Sequence, residues 1–161
     1  MMQFEILAVG KLREPWLKDA VDEYLKRLTR FSKTSLQETN EQSVDESKSV
    51  DSQIIHATRN EAQVLLMKIN PAAHVISLDL KGRGMTSPQF AEFLETQTIQ
   101  GTSKFQFIIG GSHGLDESVL NQSHTRLSLS AMTFPHQLSR VILLEQIYRA
   151  CKIIHGETYH K

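Results

Sequence analysis

The sequence contains a single cysteine, Cys151, among 161 residues. One cysteine cannot form an internal disulfide, which excludes a small secreted domain stabilised by a disulfide framework. A zinc site built from a cysteine cluster is excluded for the same reason. The seven histidines also lack the spacing of an H-E-x-x-H site, and we predict no metal. Cys151 falls on the apolar stripe of a predicted helix, which indicates a buried thiol.

An excess of charge of either sign is also missing. The 18 Lys and Arg residues balance 18 Asp and Glu residues, which gives a formal net charge of zero. Proteins that bind nucleic acids unaided usually carry a basic excess. The balance therefore argues against autonomous binding of DNA or RNA, although a local basic patch remains compatible with it.

Long apolar runs are absent as well. No run approaches the ~20 residues that a membrane-spanning helix needs. The opening segment Met1–Gly10 is interrupted by Glu5 and lacks the basic start of a signal peptide. The length fits one domain, since domains cluster near ~100–150 residues. We expect a single cytoplasmic domain over residues 1–161, without contact to a membrane.

What the sequence does contain is an alternation of short apolar runs with helical stripes. The runs predict strands at Phe4–Val9, Thr34–Thr39, Val75–Leu80, Phe105–Ile109 and Leu127–Met132. The stripes predict helices from Pro15 to Leu28, Ile55 to Ile69, Ser87 to about Leu94, Asp116 to Gln122 and Pro135 to Ile154, with Ser87–Pro88 at the N-cap and first turn of the third. Such alternation predicts an α/β fold with a mostly parallel sheet flanked by helices. The polar, Ser-rich stretch 38–53 predicts a mobile loop.

Three predicted strand exits carry the residues suited to binding. They are Leu78–Gly84, Gly110–Leu115 and Ser128–His136. Ligands of parallel α/β sheets bind at the carboxyl ends of the strands, and glycines there let the backbone approach a ligand closely. Simple turn glycines are the alternative explanation for each loop taken alone.

The segment Gly110–Gly114 also matches G-x-S-x-G, the nucleophile turn of serine hydrolases. Two features weaken that alternative. The chain is short for a hydrolase domain, and Asp116 is better explained as a helix N-cap. The acid and base would have to come from Glu145 or Glu157 together with His136, His155 or His160.

Three longer segments, together with the opening run Ile6–Leu12, resemble one known class. The segments are Phe107–Leu115 (FIIGGSHGL), Leu127–Gln137 (LSLSAMTFPHQ) and Arg140–Lys161 (RVILLEQIYRACKIIHGETYHK). They resemble the SPOUT class of RNA methyltransferases, in particular the ribosomal large subunit methyltransferase H family, which methylates N3 of a pseudouridine in 23S rRNA. The resemblance implies a trefoil knot in the C-terminal third, S-adenosylmethionine held by the knot loops, and a homodimer with the site at the subunit interface.

The resemblance also assigns residues to the cofactor. By match to the family's motifs, the site for S-adenosylmethionine comprises Leu78, Gly110, Leu129, Ser130, Ala131, Met132, Thr133 and Phe134. These residues lie at the same three strand exits that the pattern of strands and glycines selects.

Candidate catalytic residues lie on the last helix and the tail. Glu145 and Arg149 are spaced i, i+4, which by itself favours an ordinary surface ion pair. The resemblance places them, with Tyr159 and His160, beside the cofactor. On that basis His160 or Glu145 assists removal of the N3 proton, and Arg149 orients the base or a phosphate. Tyr159 either stacks on the target base or packs on the partner subunit.

Three functions are therefore compared. The main prediction is S-adenosylmethionine-dependent methylation of 23S rRNA, with the RNA displayed on an assembled ribosome because a neutral domain is poorly equipped to hold naked RNA. The alternatives are a small serine hydrolase that uses Ser112 and a non-catalytic module that binds ribosomes.

Overall fold

The computed structural model describes residues 1–45, 47 and 50–159, and within them strands and helices alternate along the chain. The strands are β1 (Met2–Val9), β2 (Ser32–Thr39), β3 (His74–Gly84), β4 (Lys104–Ile109) and β5 (Thr125–Ser128). The helices are α1 (Pro15–Leu28), α2 (Val50–Lys68), α3 (Ser87–Ile99), α4 (Glu117–Asn121) and α5 (His136–Ile154).

The strands form one sheet in the order β2-β1-β4-β3-β5. Every pairing in this sheet is parallel. Parallel neighbours need crossover connections, and the helices between the strands supply them. The predicted α/β fold is therefore confirmed, while the trefoil knot stays a prediction.

Two hydrophobic layers cover the two faces of the sheet. In β1, Phe4, Ile6 and Ala8 pack into one cluster, while Leu7 and Val9 pack into the other. The first cluster includes side chains of α1, α3 and α5, and the second includes side chains of α2 and α4. A strand buried on both faces loses the polar–apolar alternation of a half-exposed strand, which is why β1 and β4 appear in the sequence as continuous apolar runs.

Cys151 lies in the larger of these layers, on the buried side of α5. Its side chain is fully buried, and this burial raises the pKa of the thiol to about 12. The prediction of a buried core thiol is confirmed. Among the described residues, no helix is both long and apolar enough to cross a membrane.

The predictions for the third and fifth strands were wrong in length. β5 ends at Ser128 instead of Met132, and β3 continues beyond Leu80 to Gly84. After β5, the Ser128 hydroxyl donates to the Ser130 carbonyl, and the Ser130 hydroxyl accepts from the Met132 N–H. Such local serine bonds replace the hydrogen bonds of a strand ladder.

The extension of β3 contains an irregularity. Both Leu78 and Arg83 are register partners of Leu127, and the residues between them leave the regular ladder. Gly82 passes so close to β5 that a Cβ atom there would lie 2.7 Å from the Arg126 carbonyl carbon. The Lys81–Gly84 stretch is therefore part of strand β3, and the prediction of a loop there was wrong.

The mobile loop predicted at 38–53 was also too long. Glu38 and Thr39 belong to β2, where they pair with Ala8 and Val9, and α2 already begins at Val50. A polar strand is stable here because its backbone pairs with the buried strand β1. In addition, the Glu38 carboxylate accepts a hydrogen bond from the buried guanidinium of Arg140. The start of α3 also differs by one residue: Thr86, rather than Ser87, is the N-cap.

Candidate active site

The three strand exits selected from the sequence meet at one edge of the sheet. β4, β3 and β5 are consecutive neighbours, so their carboxyl ends lie side by side. A cavity of about 770 Å³ opens there, lined by residues that follow each of the three strands. Its size falls within the ~300–1,000 Å³ usual for small-molecule sites.

Most residues assigned to the cofactor line this cavity. The lining includes Leu78, Gly110, Leu129, Ser130, Met132, Thr133 and Phe134. Ala131 belongs to the same segment but is not part of the lining. Leu129 packs against the hydrophobic core, whereas Met132 is 74% exposed at the cavity. The assignment of these residues to a cofactor stays a prediction.

A tight glycine turn forms one wall. Gly111 and Gly114 form an antiparallel bridge, in which the Gly114 N–H donates to the Gly111 carbonyl at 3.1 Å. A Cβ atom on Gly110 would lie 2.6 Å from the carbonyl carbon of Gly114. Any side chain at position 110 would therefore push the turn open. After the turn, Asp116 accepts a hydrogen bond from the Ser118 N–H as the N-cap of α4, as predicted.

Ser112 in this turn is hydrogen-bonded to the carboxylate of Glu41. Oε1 of Glu41 accepts from the Ser112 N–H at 2.8 Å and from its Oγ at 2.7 Å. Nε2 of His136 lies 3.4 Å from the other oxygen of Glu41. A serine nucleophile needs an adjacent general base, which the hydrolase alternative takes from a histidine. In the described part of the chain, no imidazole is hydrogen-bonded to Ser112, so the geometry does not support the hydrolase alternative.

The charge of Glu41 is set by competing effects. Burial by itself raises the pKa of the Glu41 carboxyl, but the hydrogen bonds from Ser112 lower it, and His136 and His113 add to the lowering. The net pKa lies below its ordinary value. Glu61 behaves oppositely, because burial and the nearby charge of Glu41 raise its pKa above the ordinary value despite a hydrogen bond from Gln42. The charged form is thus favoured at Glu41 and disfavoured at Glu61.

The candidate catalytic residues form a separate cluster on α5 and the tail. Oε1 of Glu145 accepts from Nη2 of Arg149 at 2.6 Å and from the Tyr159 hydroxyl at 3.3 Å. The Arg149 guanidinium lies 4.7 Å from the centre of the Tyr159 ring. The Glu145 hydrogen bond raises the pKa of Arg149, while burial and the Glu145 charge raise the pKa of Tyr159. Both side chains therefore keep their protons at neutral pH.

The structure does not bring this cluster to the cavity within one chain. The residues of α5 that line the cavity are His136 and Ser139, in its first turn. Glu145 is six residues further along α5, which corresponds to ~9 Å of helix rise. His160, the fourth candidate, lies outside the described residues.

Sequence reasoning missed Glu41 and gave His136 only a hydrolase role. Glu41 falls in the polar stretch, where nothing in its spacing distinguishes it from the neighbouring acidic residues. The close contact of Glu41 with the glycine turn depends on β2 and β4 lying on either side of β1, which only the strand order reveals.

The comparisons with known proteins agree with this geometry. A family model described as predicted SPOUT methyltransferase matches residues 2–160. The ribosomal RNA large subunit methyltransferase H of Ruminiclostridium cellulolyticum is 49% identical over 160 residues, covering 99% of this chain and 100% of the relative. The protein of the same name from Carboxydothermus hydrogenoformans is 46% identical with the same coverage.

Solved structures show the fold at much lower identity. A probable methylase family protein from Haemophilus influenzae Rd KW20 has a TM-score of 0.53 at 12% identity, covering 99% of this chain and 70% of the other. A structure concerned with 2-OH methylation of C/U34 on tRNA has a TM-score of 0.53 at 13% identity, covering 97% and 99%. With a family model that spans nearly its whole length and relatives this similar, the chain belongs to the SPOUT methyltransferases, in the family of ribosomal RNA large subunit methyltransferase H.

Proposed function

We propose that this chain methylates N3 of a pseudouridine in 23S rRNA, using S-adenosylmethionine, on the assembled ribosome. The observation that carries the proposal is the cavity at the exits of β3, β4 and β5, in a chain whose full-length relatives are ribosomal RNA methyltransferases.

The residues at the cavity fit the cofactor. Leu78, Leu129 and Phe134 offer apolar surfaces for the adenine ring, and the hydroxyls of Ser130 and Thr133 offer polar partners. The backbone of the glycine turn comes close because Gly110 has no side chain. When bound, the cofactor supplies a methyl group already activated by its sulfonium. What remains for the protein is to orient the base and to accept one proton.

The contacts of Glu145 favour a positioning role for it. Its carboxylate already accepts hydrogen bonds from Arg149 and Tyr159, so it is less available to take a proton from N3. We therefore assign Glu145 to hold Arg149, which presents its charge to the base or a phosphate. Proton removal is then assigned to His160.

Dimer formation would bring the cluster of Glu145, Arg149 and Tyr159 next to a cavity. Within one protomer, α5 reaches the cavity only with its first turn. In a two-fold dimer, the cluster of one protomer can face the cavity of its partner. We propose a homodimer in which each active site combines both chains, with Tyr159 at the junction.

The proposed substrate is RNA displayed on the ribosome, which implies a cytoplasmic enzyme. With no net charge, the chain gains little from the release of counterions that drives proteins onto naked RNA. Assembled ribosomal proteins and folded RNA can instead supply shape for recognition.

The test incubates the protein with methyl-labelled S-adenosylmethionine and either ribosomes lacking the modification or protein-free 23S rRNA. We expect label in the rRNA of the ribosomes only, and N3-methylpseudouridine after nuclease digestion and mass spectrometry. Arg149→Ala should lose most transfer, whereas the matched control Arg59→Ala, an exposed residue of α2 on the other face of the sheet, should keep it. Ribosome binding without transfer would instead support the non-catalytic module, and equal labelling of naked rRNA would refute the ribosomal substrate.

A further inference from the structure

Glu41 is the second residue after β2 and links three parts of the fold. One carboxylate oxygen accepts both hydrogen bonds from Ser112 in the glycine turn. The other oxygen faces His136 at the start of α5. Ser112 and His136 both line the cavity, whereas Glu41 does not. Glu41 therefore contacts two residues of the cavity wall without lining the cavity itself.

The backbone of the glycine turn lies close to the Glu41 carboxylate. A Cβ atom on Gly111 would lie 2.7 Å from the Oε1 atom of Glu41, so the carboxylate can occupy its position only against a glycine. Directly after Glu41, the Gln42 N–H donates to Oε2 of Glu61 at 2.9 Å. Glu61 is a buried residue of α2, with 6% of its surface exposed. The Glu41–Gln42 segment is thus hydrogen-bonded to the glycine turn through Glu41 and to α2 through Gln42.

The charges around Glu41 support an ionised carboxylate. His136 and His113 are the histidines whose fields act on it, and the buried guanidinium of Arg140 also interacts with it. Hydrogen bonds to an ionised acceptor are stronger than those between neutral groups. An ionised Glu41 can therefore hold the N–H and the hydroxyl of Ser112 in one fixed arrangement.

We propose that Glu41 is a positioning residue for the cofactor: by holding Ser112, it fixes the path of the turn Gly110–Gly114 and so the backbone that faces the cavity. This inference rests on the proposed cofactor site. It gives the polar segment after β2 a role in binding, exerted without contact to the ligand. A fixed turn spares the ligand the entropic cost of ordering that turn when it binds.

The experiment compares Glu41→Ala and Glu41→Gln with the wild type. Glutamine keeps an amide oxygen that can accept both bonds but carries no charge, so its effect should be the smaller one. We expect Glu41→Ala to raise the dissociation constant for S-adenosylmethionine ~10-fold in calorimetry, as the loss of bonds to a charged acceptor implies. At saturating cofactor, kcat should stay within about two-fold of the wild type, since the reacting groups are untouched. The matched control is Asp45→Asn, in the same segment, whose carboxylate accepts from Ser47 instead.

A second measurement needs no cofactor. Hydrogen exchange of the amides 110–115 should speed up in Glu41→Ala and stay unchanged in Asp45→Asn, because only the former frees the turn. Variants that melt earlier but keep the wild-type cofactor affinity and amide protection would overturn the proposal and leave Glu41 a purely structural tie. If the wild type itself fails to bind S-adenosylmethionine, the proposed function fails, while amide exchange still decides whether Glu41 fixes the turn.

Discussion

Arg140 carries a charge and yet is fully buried in the first part of α5. Its Nη1 donates to Oε2 of Glu38 at 2.6 Å, and its Nη2 donates to the carbonyls of Val9 and Gly10 at 2.8 and 2.6 Å. One side chain therefore joins the ends of β1 and β2 to α5. Guanidinium is suited to this position because its fork of donors can satisfy several acceptors at once.

Replacing Arg140 by methionine should destabilise the protein strongly. The variant removes the Arg140 donor from two carbonyls and from the Glu38 carboxylate, which keeps the Leu12 N–H as a partner. Each buried acceptor left unsatisfied costs about 1–3 kcal/mol, so we expect a loss of about 3 kcal/mol or more in total. The free energy of unfolding in urea provides the measurement. Arg27→Met removes an exposed guanidinium paired with Glu23 and should unfold near the wild-type midpoint. Similar midpoints for Arg140→Met and Arg27→Met would contradict this account.

The lowered pKa of Glu41 predicts a pH-dependent contribution to stability. A carboxyl whose pKa is lower in the folded state stabilises the fold above its ordinary pKa of 4.5, and this stabilisation is lost as pH falls through the lowered folded value. Thermal unfolding of wild type and Glu41→Gln should therefore differ most near neutral pH and converge at acid pH. The groups that face Glu41 are His113, His136, Arg140 and Glu61, and they are the same in both proteins. A difference that persists unchanged at pH 3 would show that charge is not its source.

Neither Arg140 nor Glu41 could be identified from the sequence. Arg140 lies in a helical stripe where most charged residues face solvent. Its burial depends on three acceptors that come from β1 and β2, more than a hundred residues earlier. The strand exits that hold Leu78, Gly110 and Leu129 could be located from the sequence because apolar strands end there, and two of the three exits carry glycines. The choice of these residues for the cofactor came from the family resemblance.

At the scale of elements, α3 begins with a reciprocal cap. The Thr86 hydroxyl accepts from the Gln89 N–H at 3.2 Å, and the Gln89 side chain accepts from the Thr86 N–H at 2.9 Å. The sequence predicts Ser87 as the N-cap, because Pro88 follows it in the first turn. The Ser87 hydroxyl donates instead to Gln146 of α5, a tertiary contact that no local pattern shows.

Removing this cap should weaken the fold by a moderate amount. Thr86→Ala frees a backbone donor in the first turn of α3, and loss of such a cap costs about 1 kcal/mol. Thr86→Ser keeps the hydroxyl and serves as the matched control, with stability close to the wild type. Urea unfolding of the two variants measures the difference. Equal stability of the alanine and serine variants would mean that the hydroxyl contributes nothing.

The bounds of strands with strong apolar patterns were predictable, whereas the end of the edge strand β5 was not. β1 and β4 are buried on both faces and matched their predictions within two residues. β5 lies at the edge of the sheet and has β3 as its one neighbour. Its end is decided by serine hydrogen bonds and by the irregularity in β3, which compete with an apolar pattern that continues to Met132.

At the scale of the whole molecule, the proposed dimer predicts complementation. Thr133→Trp would fill the cavity from an exposed position, and Arg149→Ala would remove the guanidinium of the candidate catalytic cluster. Each homodimer should then be inactive. If each site combines two chains, a heterodimer of the two variants has one intact site. Purified heterodimers should then show about half the wild-type activity, as two-fold symmetry requires.

The measurement uses differently tagged chains, co-expressed and purified through both tags. Inactive heterodimers, from variants that keep the wild-type melting temperature, would place each site within a single chain. A monomer in sedimentation analysis would refute the dimer itself.

The position of β4 has a consequence for how the chain matures. β4 lies between β1 and β3, although both precede it in the sequence. β1 and β2 can pair as soon as they are synthesised, but both sheet neighbours of β3 are translated later. During translation, β3 with its apolar residues Val75 and Ile76 therefore leaves the ribosome before either strand that pairs with it has been synthesised. The nascent chain should depend on chaperones until β4 emerges, because an unpaired apolar strand is prone to aggregate.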